Sequence, residues 1–365
     1  MNRHIDYEEE YHGNDKKASR KERRIASNTD RSKFKKTDLK KAQTTKANTS
    51  DSRGRVLSIT GEGILVSCKD QTYICSIRGH LKKERTRNKN ILAVGDFVYF
   101  QILNDEQGQI LDVEDRKSIL ERVDVSGRKR QLLAANIDQV FITTSLVKPP
   151  LKPFLIDRYI IAARKGNMEP IIIVNKIDLL KGKGSRSKEV LEQKRLYKSF
   201  LRAYKHMKIP IIAVSYETNE NMGLLKKMMI NKASVFSGQS GVGKSSLINL
   251  MLDLNLPVKK IIERTRKGAH TTTAAKLIPL KNGGFCIDTP GIKSFGLWDV
   301  KKEDIVSHFI EIQEQSKDCK FQNCKHIHEP GCAVLLAVKE GKIDPLLYES
   351  YAILIEGGTD EFTYY

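Results

Sequence analysis

From about Arg53 to Asp115 apolar and polar residues alternate in short runs: Arg55-Val56-Leu57-Ser58-Ile59, Gly63-Ile64-Leu65-Val66, Thr72-Tyr73-Ile74-Cys75 and Phe97-Val98-Tyr99-Phe100. Glycines and charged turns separate them. Alternation of this kind predicts half-buried β-strands, and five or so of them in about 65 residues predict a small barrel, best matched by the OB-fold. From Asn136 the period changes. Apolar runs (Val140-Phe141-Ile142, Ile171-Ile172-Ile173-Val174, Ile211-Ile212-Ala213-Val214, Val235-Phe236) alternate with helical stretches over 155–165, 188–205, 221–229 and 244–252. That order predicts a largely parallel, doubly wound α/β sheet. Residues 276–288 read as two strands around a Lys281-Asn282-Gly283-Gly284 turn. Residues 1 to about 50 have almost nothing to bury, acidic first (Glu8-Glu9-Glu10) and then basic (Lys35-Lys36, Lys40-Lys41), which predicts a disordered tail.

Composition sharpens the choice of partner. A formal net charge of +20 over 365 residues points to an anionic one, nucleic acid before a membrane surface. Lys82, Lys83, Arg85, Arg87 and Lys89 cluster in one barrel loop, as RNA binding requires. No apolar run approaches the ~20 residues that span a bilayer, and the N-terminus has no apolar signal region. The expectation is a cytoplasmic monomer with no membrane partner.

The chemistry sits at the ends of the predicted strands. Gly238-Gln239-Ser240-Gly241-Val242-Gly243-Lys244-Ser245 matches G-x-x-x-x-G-K-[ST] in full. Its backbone N–H groups wrap phosphates, Lys244 reaches the β and γ phosphates, Ser245 binds Mg²⁺, and Ser246 follows in the helix the loop opens. Asn175-Lys176-Ile177-Asp178 chooses the base: the Asp178 carboxylate accepts from N1–H and the 2-amino group of guanine, which adenine cannot offer. Ser215 stands where a last base-contacting loop is expected. Asp288-Thr289-Pro290-Gly291 supplies Asp288 for the Mg²⁺ shell and the Gly291 N–H for the γ phosphate. Gly268-Ala269-His270-Thr271-Thr272-Thr273 offers three hydroxyls for Mg²⁺ that pattern alone does not rank, with Thr272 the expected ligand. Ile292 fills the position of the water-orienting glutamine of Ras-like enzymes, so His270 is the candidate for that task beside catalytic Lys244.

These motifs come in an unusual order. The base-reading motif precedes the phosphate loop, and Asp-Thr-Pro-Gly comes last, whereas the usual order opens on the phosphate loop. A circular permutation explains this. Further on, Cys319, Cys324, His326 and Cys332 form a Cys₃His set that fits a closed structural zinc site, with His328 as a substitute for His326. Cys68, Cys75 and Cys286 lie in strands and read as packing residues.

The arrangement resembles the RsgA/YjeQ family of circularly permuted, small-subunit-dependent GTPases over about residues 53–350. Arg78-Gly79, Val94-Gly95-Asp96, Ala134-Ala135-Asn136-Ile137-Asp138, the Gly268–Thr273 segment, Phe295-Gly296-Leu297 and the Cys/His cluster carry the resemblance. It implies a multi-domain protein: an OB-fold RNA-binding domain over 53–117, a circularly permuted P-loop GTPase domain over 118–298 and a small α-helical zinc-binding domain over 299–365, with the disordered basic tail over 1–52 outside the shared core. It also implies GTP and GDP as ligands, Mg²⁺ with GTP, one structural Zn²⁺, and the small ribosomal subunit and its rRNA as partners in late assembly. In that family the histidine equivalent to His270 is a proposed catalytic residue. Two other readings remain open: a GTP-binding RNA scaffold with little turnover, and a permuted GTPase of large-subunit assembly.

Overall fold

The alternating first region closes on itself. Strands β1 (Ser52–Ile59), β2 (Ile64–Cys68), β3 (Gln71–Ile77), β4 (Phe97–Ile102) and β5 (Gln107–Val113) form a closed barrel in the order β1-β2-β3-β5-β4. Every pairing is antiparallel except β3 with β5, as in an OB-fold. Val56, Val66, Tyr73, Val98, Phe100 and Ile110 fill the interior. The β1–β2 register slips between Val56 and Ser58. Successive strand side chains face opposite sides, so Val56 is buried inside the barrel and Leu57 in the core of the neighbouring domain.

The computed structural model describes residues 51–69, 71–78, 91–123, 130–181, 187–252, 275–281, 283–288 and 300–357. The tail, the basic barrel loop 81–90 and the segment 253–274 lie outside them. Among the described residues no helix is long and apolar enough to cross a membrane.

A hairpin absent from the predicted elements, β6 (Ile119–Val123) with β7 (Arg130–Ala135), leads into the second sheet. There β8 (Gln139–Ser145), β9 (Glu169–Asn175), β10 (Ile211–Ala213), β11 (Ala233–Ser237), β12 (Lys276–Pro279) and β13 (Phe285–Asp288) lie in the order β10-β9-β8-β11-β13-β12. All neighbours are parallel except the β12–β13 hairpin. Each residue of central β8 is buried, as expected for a strand covered on both faces. Val140 and Ile142 face one core, with α1 (Pro153–Lys165) and α2 (Lys188–Tyr204). Phe141 faces the other, with α3 (Met222–Met228) and α4 (Lys244–Leu252). Residues 229–232 alone join α3 to β11, so the permuted connection leaves the sheet intact.

Two attachments complete the frame. At the barrel side, Gly95 N–H donates to Val56 O at 2.8 Å and Ala135 N–H to Val94 O at 2.8 Å. Gly95 has φ +92°, and a Cβ there would sit 2.1 Å from Ala135 O. Fully buried Asp96 holds Arg116 through two bonds of 2.8 Å and accepts from Ala93 N–H. Asn136 Nδ2 donates to Gly95 O at 3.2 Å, and its Oδ1 accepts from Lys117 N–H at 2.9 Å. The Val94-Gly95-Asp96 and Ala134–Asp138 motifs are thus the two halves of one joint. At the other side, α5 (Lys302–His308), α6 (Ile310–Ser316), α7 (Ala333–Lys339) and α8 (Pro345–Ile355) form a small helical domain, with α8 packed on α1. Its His308 Nε2 lies 3.1 Å from Asp157 Oδ1 of α1, and Tyr204 of α2 donates to Asp157 Oδ2 at 2.5 Å. Burial, reinforced by the Asp157 charge, pushes the Tyr204 hydroxyl well above its ordinary pKa, so it remains a donor.

Candidate functional site

The base-reading and phosphate motifs converge at the C-terminal ends of β9 and β11, which flank β8, where open α/β sheets bind ligands. β11 ends at Ser237 and α4 begins at Lys244, so Gly238 to Gly243 form the turn between them. Gly243 has φ +94°, and a Cβ there would lie 2.5 Å from Asn175 Nδ2. The glycine therefore makes room for the asparagine. Lys244 folds back over the loop and donates to Gly238 O at 2.7 Å and Gln239 O at 2.6 Å, which keeps its ammonium inside the turn. Ser245 and Ser246 open α4, where helix N–H groups and dipole favour an anion.

Asn175 closes β9 and is buried. Its Nδ2 donates to Val242 O at 2.9 Å, tying the base-reading loop to the phosphate loop. Its Oδ1 has no partner among the described residues. Lys176 bridges the same two loops, donating to Gly241 O at 2.6 Å and Lys148 O at 2.7 Å. Buried Ile177 donates its N–H to Val214 O at 3.3 Å, which fixes the turn against β10. Ser215 Oγ donates to Asp178 Oδ1 at 2.6 Å and accepts from Thr218 N–H at 3.2 Å. The serine thus orients the carboxylate that would read guanine.

Asp178 lines an open cleft of about 730 Å³ with Val147, Lys148, Lys181, Thr218 and Glu220. Of these, only Asp178 belongs to a sequence motif. Lys148 comes from the loop after β8 and contributes a backbone carbonyl, a role that leaves no side-chain signature. Lys181 and Glu220 pair at 2.7 Å across the cleft, and Glu220 O accepts from Ser215 N–H at 3.2 Å, so this pair links the two base-side loops. Asp288 is the last residue of β13 and stands opposite Lys276. His270, Thr271, Thr272, Thr273, Thr289, Pro290 and Gly291 lie outside the described residues.

A second cluster forms in the helical domain. Ligand atoms of Cys319, Cys324, His326 and Cys332 all lie within 4.8 Å of one another, and exposed His328 is not among them. Cys319 Sγ to Cys332 Sγ is 3.8 Å, and each of these sulfurs is 3.5 Å from His326 Nδ1. A tetrahedral ion with sulfur at about 2.3 Å and nitrogen at about 2.05 Å needs edges of about 3.8 and about 3.5 Å. The donor set therefore fits such a metal ion. Burial, then the neighbouring Cys332 and Cys319, push the Cys324 thiol up to about 12, a shift that a bound cation would oppose. Burial lowers the His326 pKa and favours the neutral, ligating ring. Glu329 accepts from the N–H groups of Lys325, Ile327 and His328 at 2.8–3.1 Å, which holds its carboxyl down at about 2 and pins the loop.

Strand order, motif order and the paired loops define a circularly permuted P-loop GTPase. The RsgA GTPase family model matches residues 113–298, and that of the RsgA N-terminal domain matches residues 53–110. The chain belongs to the RsgA family. A curated relative from Chlorobaculum parvum, named small ribosomal subunit biogenesis GTPase RsgA, is 36% identical over 307 residues, covering 81% of this chain and 92% of its own. One of the same name from Histophilus somni is 39% identical over 286 residues, covering 77% of this chain and 76% of its own. Among solved structures, YjeQ from Thermotoga maritima superposes with a TM-score of 0.64 at 26% identity, over 84% of this chain and 98% of that one. YloQ, described as a circularly permuted GTPase, gives 0.62 at 26% identity, over 88% and 100%.

Proposed function

We propose that this chain hydrolyses GTP on the small ribosomal subunit and couples hydrolysis to late assembly of that particle and its own release. The observation that carries the proposal is structural: a guanine-reading loop and a phosphate loop are tied together through Asn175 and Lys176, on a sheet clamped to an OB-type barrel. The names of the relatives support the same reading. In it, Asp178 and Ser215 read the base, Lys244 and the N–H groups of residues 238–246 hold the phosphates, and Gly291 senses the γ phosphate. Ser245, Thr272 and Asp288 would hold Mg²⁺, which neutralises charge on the phosphates when bound. His270 orients the attacking water, since Ile292 has no polar group for it. Cys319, Cys324, His326 and Cys332 hold one structural zinc ion, with no ligand position left for water. The barrel, the tail and the net charge of +20 engage rRNA phosphates, so particle binding weakens steeply with salt.

The deciding experiment is GTP hydrolysis with and without purified small or large subunits. Stimulation by small subunits alone is the expected result. No stimulation by any particle would favour a GTP-binding scaffold, and stimulation by large subunits would reassign the partner. His270→Ala is expected to slow single-turnover hydrolysis while nucleotide affinity stays unchanged.

A further inference from the structure

One side chain touches both the barrel and the strand that leads to the γ-phosphate segment. Arg55 of β1 stands opposite Phe97 of β4, and its guanidinium lies 4.8 Å over the Phe97 ring and 4.7 Å over that of Phe285. Its Nη2 donates to Asn136 O at 2.5 Å and its Nε to Gly95 O at 3.4 Å. Two aromatic faces and two carbonyls thus hold the planar cation, a fit that a lysine ammonium does not reproduce. Phe285 is the first residue of β13 and Asp288 the last. At ~3.3 Å per residue, about 10 Å of extended chain separates the Arg55 contact from the expected Mg²⁺-side carboxylate.

The surroundings make Arg55 a mechanical link. Gly95, which accepts from Arg55, also lies against Ala135 O, so Arg55 sits at the joint between barrel and G domain. A shift of the barrel carries Arg55 with it, and Phe285 is the G-domain side chain stacked on that cation. Neighbouring Arg53 provides a contrast within the same strand. It lies 4.1 Å over the same Phe97 ring but pairs with Glu114 at the end of the barrel.

We propose that Arg55 is a positioning residue for particle-stimulated hydrolysis, passing engagement of the barrel with rRNA through Phe285 and β13 to Asp288. This rests on the stimulated GTPase reading above.

The test uses the full chain and purified small subunits, with Arg55→Ala, Arg55→Lys, Phe285→Leu and Arg53→Ala beside the unaltered protein. Intrinsic hydrolysis, guanine-nucleotide affinity and particle affinity are measured first, then hydrolysis at saturating particle. For Arg55→Ala and Phe285→Leu the first three are expected to stay within about twofold, while the stimulated rate falls about tenfold, inside the range known for coupling residues. Arg55→Lys is expected to restore little of it, and Arg53→Ala to keep full stimulation. A simple loss of fold would move all four quantities together; if Arg55→Ala does not fold, Phe285→Leu decides. Full stimulation of Arg55→Ala or of Phe285→Leu overturns the coupling alone, as does an equal fall in Arg53→Ala. An unaltered protein that no particle stimulates overturns both the coupling and the function on which it rests.

Discussion

The barrel and the metal-cluster helices are fastened to the same G domain by different means. The barrel is held mainly at main-chain groups: Gly95 lies against Ala135 O, Val94 O accepts from Ala135 N–H, and the side chains of Asn136 and Arg55 reach Gly95 O, Lys117 N–H and Asn136 O. The helices are held through side chains, above all the buried Asp157, His308 and Tyr204. A backbone joint fixes position and tolerates no added atom. A side-chain joint fixes chemistry and tolerates whatever preserves the hydrogen bonds. They also grip different parts: one reaches the starts of the strands, the other the crossover helices α1 and α2.

That contrast can be broken at four points, in decreasing order of effect. Chelator treatment should expose residues 300–357 to protease while guanine-nucleotide affinity holds, because among the described residues the hydrogen bonds of the cluster stay within the helical domain. Loss of nucleotide affinity would show that the helices do more than dock. Gly95→Ala combines a strained φ with overlap at Ala135 O and should cost about 4 kcal/mol in urea denaturation. A loss below about 1 kcal/mol would mean that the joint relaxes and the distinction is false. His308→Ala leaves the buried Asp157 carboxylate with Tyr204 as its remaining partner here and should cost about 3 kcal/mol. Adding Asp157→Asn to it should cost less than the two single changes summed, and strict additivity would deny the network. Arg202→Ala removes an exposed pair with Asp344 at the same interface and should change stability by about 0.5 kcal/mol or less.

Much of this was legible in the residues, and the exceptions share a cause. The β-strands and helices of the sheet follow from period alone, and α4 begins at Lys244 because a phosphate loop must open a helix. The Cys₃His set was readable because its four ligands lie close together in sequence. His326 was the ligand read from the spacing, with His328 as a substitute, and the cluster holds His326. Hidden from pattern were contacts made by backbone or by residues far apart: Lys148 O under Lys176, the Lys181–Glu220 pair, and His308 on Asp157. A carbonyl carries no side-chain signal, and a histidine in a short helix gives no hint of a partner so distant in sequence. The β6–β7 hairpin escaped because its apolar residues come in doublets, Ile119-Leu120 and Leu132-Leu133, which break the period of two.

Strand β1 reaches further than the barrel. Since Val56 and Leu57 are neighbours in one strand yet belong to two interiors, neither interior is complete without that strand. Melting should therefore run as a single transition across barrel and sheet, even though each looks like an independent module. Severing the barrel from the rest would leave Leu57 and Leu65 facing water and open a hole in the fragment left behind.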